Sequence, residues 1–122
     1  MIISLAQNPE IREVVRAVHP KYRKHNVILY DALSLELGGT YWDGGSRWIY
    51  DAVNLSTRRV ESAAQYAPPQ FGGPVNAPRV DIPEGVAIVR TGIFCGKPAV
   101  VTVFVNPANM AKLLGKESCA TI

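Results

Sequence analysis

Val86-Ala87-Ile88-Val89-Arg90-Thr91-Gly92-Ile93-Phe94, followed by Cys95-Gly96-Lys97-Pro98 and then by Ala99-Val100-Val101-Thr102-Val103-Phe104-Val105, is the stretch on which the fold turns. Two β-rich runs flank four residues of turn composition, so the whole reads as a β-hairpin. Side chains alternate between the faces of a strand, and Val101, Val103 and Val105 are therefore expected to face a core.

On the C-terminal side, Asn106-Pro107 places a capping residue ahead of a proline suited to the first helical position. The spacing predicts a short helix that carries Met110, Leu113 and Leu114 and stops at Gly115. Residues 116–122 are expected to form a flexible tail.

On the N-terminal side, residues 67–83 hold five prolines and Gly72-Gly73, a composition that sustains neither a helix nor a central strand. This is read as a loop rather than a linker, because flanks of about 65 and 40 residues would each lack a comfortable core. Further back, Arg47 to Leu55 forms a strand with Ile49, Val53 and Leu55 on one face and Trp48 and Tyr50 on the other. Ser56-Thr57-Arg58-Arg59 reads as a hairpin turn into a short strand from Val60 to Ala63, although Arg-Arg is not a pair that tight turns prefer.

From Val27 to Leu37 the apolar residues Val27, Leu29, Leu33, Leu35 and Leu37 occupy odd positions, the pattern of a long half-buried strand. Asp31 interrupts the row, and a bulge or bend there fits better than a buried unpaired carboxylate. Asn8-Pro9-Glu10 repeats the cap-and-proline signature. Ile11, Val14, Val15 and Val18 follow at helical spacing up to His19-Pro20. The sum is an α+β fold, a single domain over residues 1–122, with an antiparallel sheet of about five strands and a short helix near each end.

Composition sets limits on function. The chain has 122 residues, 48% hydrophobic and 19% charged, within the range of a globular domain. The opening residues lack a basic stretch and meet Pro9 early, so no secretion signal is read. The apolar run from Ala99 to Val105 is far short of the roughly 20 residues needed to cross a bilayer. With only Cys95 and Cys119, a disulfide framework is not expected, and a cytoplasmic location is. His19 and His25 flank Pro-Lys-Tyr-Arg-Lys without ligand spacing, so neither a metal nor a cofactor is expected.

The leading candidate site lies in Gly38-Gly39-Thr40-Tyr41-Trp42-Asp43-Gly44-Gly45-Ser46-Arg47. Glycines free backbone amides to point at a ligand, Arg47 suits a phosphate or carboxylate, and Tyr41 or Trp42 suits a ring. Asp43, Gly44, Gly45 and Ser46 complete the set, and a small anionic or nucleotide-like ligand is the expected occupant. The bland alternative is a glycine-rich connection whose Trp42 packs on the sheet and whose Asp43 and Arg47 pair locally. Phe71, framed by Pro68-Pro69-Gln70 and Gly72-Gly73-Pro74, is a second candidate that either reaches a ligand or partner or plugs its own core.

Other readings compete. Lys21, Arg23, Lys24, Arg58 and Arg59 could serve a nucleic acid, although a net charge of +3 does not itself require one. Cys95 beside Lys97 could act as a hydrolase nucleophile, against an ordinary turn thiol. The partly apolar face of Trp48 and Tyr50 favours a homo-oligomer, since a small domain has few helices to cover both sheet faces.

Trp42-Asp43-Gly44-Gly45-Ser46-Arg47, Phe71-Gly72-Gly73-Pro74 and Gly92-Ile93-Phe94-Cys95-Gly96-Lys97 follow one another in an order that resembles small proteins of phages and bacterial mobile elements. The resemblance covers about residues 22–105 and implies a phage-related role, such as a host-defence antagonist or a virion accessory protein. It implies no site residue and no mechanism. The reading taken forward is a non-enzymatic binding protein for a small anionic ligand or a protein partner.

Overall fold

The computed structural model describes residues 2–4, 8–21, 26–37, 47–67, 79–94 and 96–120. In chain order its strands are β1 (Ile2–Ser4), β2 (Asn26–Asp31), β3 (Ser34–Glu36), β4 (Arg47–Asn54), β5 (Val60–Ser62), β6 (Arg79–Asp81), β7 (Val86–Phe94) and β8 (Lys97–Val105). Helix α1 (Pro9–Val18) follows β1 and helix α2 (Pro107–Ala120) follows β8, while a 3-10 turn, Ala63–Tyr66, follows β5. The class is α+β, as read.

The hairpin at residues 86–105 is the centre of a six-stranded sheet ordered β1-β2-β8-β7-β4-β5. Its turn is tighter than the sequence implied, because Lys97 and Pro98 already belong to β8, opposite Phe94 and Ile93. Gly96, at φ +78°, supplies the left-handed backbone that reverses the chain. Pro98 is tolerated in the strand because β2 pairs with β8 only at Thr102 to Val105. That β2–β8 contact is parallel, the exception in a mostly antiparallel sheet.

The helices cover one face of the central hairpin, and a second layer covers part of the other. Val89, Val101, Val103 and Val105 join Ile11, Val14 and Val15 of α1 and Met110 and Leu113 of α2 in one core. Burying each valine side chain contributes about 1.5–3 kcal/mol. On the opposite face Ile88, Phe104 and Ala52 meet Val80, Ile82 and Ala63. This second layer is a small β3–β6 sheet backed by the 3-10 turn.

The run read as one strand from Val27 to Leu37 therefore serves two sheets. Its first part is β2; at Ala32-Leu33 the chain leaves, and β3 pairs with β6 instead. The bend predicted near Asp31 is this transfer, and it turns Leu33 outward, 69% exposed, instead of into the core. Likewise the proline-rich loop contains a strand, β6, whose Val80 is fully buried.

Both helix starts work through asparagine. Asn8, itself 3% exposed, accepts the amide of Ile11 on Oδ1 at 3.1 Å. Asn106 accepts the amide of Ala108 at 3.0 Å and donates Nδ2 to the Ile82 carbonyl at 2.9 Å, tying α2 to the layer across the sheet. Helix α2 continues through Gly115 to Ala120. One interior glycine costs only about 1 kcal/mol, and no proline follows it to end the helix. The β4–β5 turn is likewise built by Asn54, whose Oδ1 accepts the amides of Ser56 and Thr57 at 2.8 and 3.0 Å. Arg58 there adopts φ +63°.

Removing the α1 cap tests this account of the helix start. Asn8→Ala is expected to lower unfolding stability by about 1 kcal/mol, and Asn8→Asp to recover most of it, in chemical denaturation.

Candidate functional site

Alternation along the central strands turns Thr102 and Phe104 of β8 away from the helices. On the same face lie Tyr30 of β2, Arg90 of β7 and Trp48 of β4, with Tyr30 paired to Phe104, Thr102 to Arg90, and Gly92 to Trp48. The guanidinium of Arg90 sits between two rings, its Cζ 4.8 Å from the centroid of Trp48 and 5.0 Å from that of Phe104. Tyr30 extends the row, stacked on Phe104 with centroids 5.9 Å apart and planes 23° from parallel. Trp48 comes so close because Gly92 opposite has no Cβ; one would lie 2.8 Å from Cζ3 of the indole.

Ring contacts stabilise the Arg90 charge by about 0.5–2 kcal/mol but neutralise none of it. Among the described residues the Arg90 side chain makes neither an ion pair nor a hydrogen bond. Its Nε is screened from solvent and unpartnered, as is Oγ1 of Thr102, its cross-strand partner. Buried polar groups are ordinarily satisfied, each orphan costing about 1–3 kcal/mol. Both orphan atoms are shielded and Thr102 is fully buried, so it is the remainder of the partly exposed Arg90 guanidinium that can donate to an external oxyanion.

Most of the residues singled out from sequence are not among those described. Tyr41, Trp42, Asp43, Gly44, Gly45, Ser46 and Phe71 lie outside the described residues, as do Arg23, Lys24 and Cys95. Arg47 opens β4 opposite Ile93. Lys21 is exposed just past α1, and Arg59 is exposed in the β4–β5 turn. Arg58 donates Nη2 to Glu13 of α1 at 3.1 Å. That pair lies on the helix side of the sheet, so Arg58 does not join the aromatic row. Sequence reasoning passed over Arg90, Phe104 and Tyr30. The signal was present in a lone arginine inside the otherwise uncharged run from Val86 to Phe94.

The helix face carries its own polar cluster. Nε2 of His19 shares a 2.7 Å hydrogen bond with Oγ1 of Thr91, and Asp51 of β4 lies within electrostatic reach of the ring. Burial lowers the His19 pKa from 6.5 and outweighs the opposing pull of Asp51. Burial also raises the Asp51 pKa from 3.8 against the attraction of His19. Thr91 is completely buried. Its hydroxyl cannot meet a substrate, and the cluster anchors the end of α1 to the sheet.

A depression of about 610 Å³ opens between the helices, bordered by Glu10, Leu55, Glu84, Gly85, Asn109 and Lys112. Its charges are of both signs, and the Gly85 amide is already bound to Oδ1 of Asn109 at 2.8 Å. No group of three or more His, Cys, Asp or Glu side chains among the described residues is placed to hold a metal.

Two measurements probe these sites. Because the folded His19 pKa lies below 6.5, the unfolded chain binds more protons just under that pH, and this contribution to stability falls as pH drops through the window. Asp51 acts oppositely above 3.8, its contribution falling as pH rises toward the elevated folded value. His19→Gln should flatten the decline below pH 6.5 in denaturation midpoints, and an unchanged slope would contradict the assignment. Gly92→Ala should push the indole off Arg90, costing about 1–3 kcal/mol and altering tryptophan fluorescence.

Comparisons with protein-family models, with curated proteins and with solved structures give no match to this chain, so the site rests on its own geometry.

Proposed function

We propose that the protein is a non-enzymatic binding protein whose outer sheet face holds a small anionic ligand bearing a planar ring, in the simplest case a nucleotide. The observation that carries this reading is Arg90, fixed between Trp48 and Phe104 with no carboxylate partner among the described residues. An oxyanion would meet the partly exposed guanidinium of Arg90, while a ring would find the aromatic surface beside it. The ligand class is the one expected from the sequence; the residues are different.

The same reading places the protein in the cytoplasm, in a phage-related role, as a homo-oligomer. No helix among the described residues is long and apolar enough to cross a membrane. Exposed Leu33 and Val60 motivate self-association. Light scattering that returns a monomer at assay concentration would remove the oligomer without touching the Arg90 site.

Titration calorimetry with AMP, ADP and pyrophosphate tests the site. Arg90→Ala is expected to weaken binding at least tenfold, in line with loss of a charged hydrogen bond worth about 1.5–3 kcal/mol. Arg90→Lys should retain part of the affinity, because a point charge replaces the fork. Equal binding by wild type and Arg90→Ala, or no binding of any of the three anions, would overturn the proposal.

A further inference from the structure

Resting on the reading of Arg90 as an anion site, we propose that the natural ligand is a single-stranded nucleic acid, with one phosphate on Arg90 and the flanking bases on Tyr30 and Trp48. The row runs diagonally over four adjacent strands, β2, β8, β7 and β4, so Tyr30 and Trp48 stand three strand spacings apart across the sheet and four residues apart along it, roughly 20 Å in all. Arg90 lies between them. That span exceeds what one base and its phosphate can occupy, and it places a stacking surface on either side of the cation.

The Tyr30 end is open to solvent, and Trp48 at the other end is half-buried. Tyr30 is 45% exposed although one side of its ring is braced on Phe104, which presents the ring without the entropy loss of ordering it. At the other end Val100, 37% exposed, pairs with Gly92 beside Trp48. Every base has a π-face, so such a platform favours single strands with little sequence preference. Of the side chains placed in the row only Arg90 is basic, and a duplex would demand phosphate contacts along two backbones.

The test is calorimetric titration of the full chain with dTMP, (dT)2, (dT)4, (dT)8, (U)8 and a twelve-base-pair duplex at two salt concentrations. Affinity is expected to rise at least tenfold from dTMP to (dT)4 and to weaken with salt. Tyr30→Ala should reduce (dT)4 affinity at least fivefold while leaving dTMP within twofold, and Tyr30→Phe should behave as wild type. Equal affinity for dTMP and (dT)4, tighter binding of duplex than of (dT)8, or an unaltered (dT)4 affinity in Tyr30→Ala would overturn the proposal. A dTMP site that depends on Arg90 but gains nothing from added nucleotides leaves the nucleotide reading standing and ends this one; absence of all binding ends both.

Discussion

The pairing of β7 with β8 is the interaction from which the remaining structure follows. Eight cross-strand positions, from Ala87 opposite Val105 to Phe94 opposite Lys97, place two nine-residue strands side by side at the middle of the sheet. Their residues are apolar on both faces, so neither face can be left to water over its whole length. The helices close one side through Val89, Val101, Val103 and Val105. The chain has no third helix among the described residues for the other side, and covers part of it with the β3–β6 sheet instead. Asn106 bridges the two layers, capping α2 with one side-chain atom and holding the Ile82 carbonyl with the other.

Arg90 is the point at which this hairpin departs from its own pattern. A cation on a central strand is stable only if its charge is met by something. Here the flanking groups are rings, and the paired threonine hydroxyl has no partner of its own. The helix face resolves its polar residues in the opposite way, keeping His19 toward its neutral form and spending it on the buried Thr91 hydroxyl. The helix face thus pairs His19 with Thr91 and Arg58 with Glu13, whereas the other keeps a partly exposed cation with no carboxylate beside it among the described residues. This asymmetry is why the ligand is assigned to the side away from the helices.

Much of the framework was legible in the residues because it is locally encoded. Asn8-Pro9 and Asn106-Pro107 specify helix starts by hydrogen bonds within four residues, and Val101, Val103 and Val105 specify a face by alternation. What alternation does not encode is which sheet a strand joins. Leu33 continues the odd-numbered row yet lies exposed, because the chain changes sheets there and the parity of the row loses its meaning. The short strand β6 was hidden by its proline-rich surroundings, since its existence depends on β3, 45 residues earlier at Ser34 and Arg79. The site escaped for a similar reason. Trp48, Arg90, Phe104 and Tyr30 come from four strands, and only the strand order brings them into one row. The glycine-rich segment stands out in the sequence because its unusual residues are contiguous, and residues 38–46 fall outside the described structure.

The central claim is that the guanidinium of Arg90 is available to an external anion. The most direct measurement is the Arg90 Nε–Hε resonance in a ¹⁵N-resolved NMR titration with pyrophosphate, assigned by its loss in Arg90→Lys. The account predicts that this cross-peak shifts together with the indole resonance of Trp48. An Arg90 cross-peak that stays in place while other resonances move would contradict it.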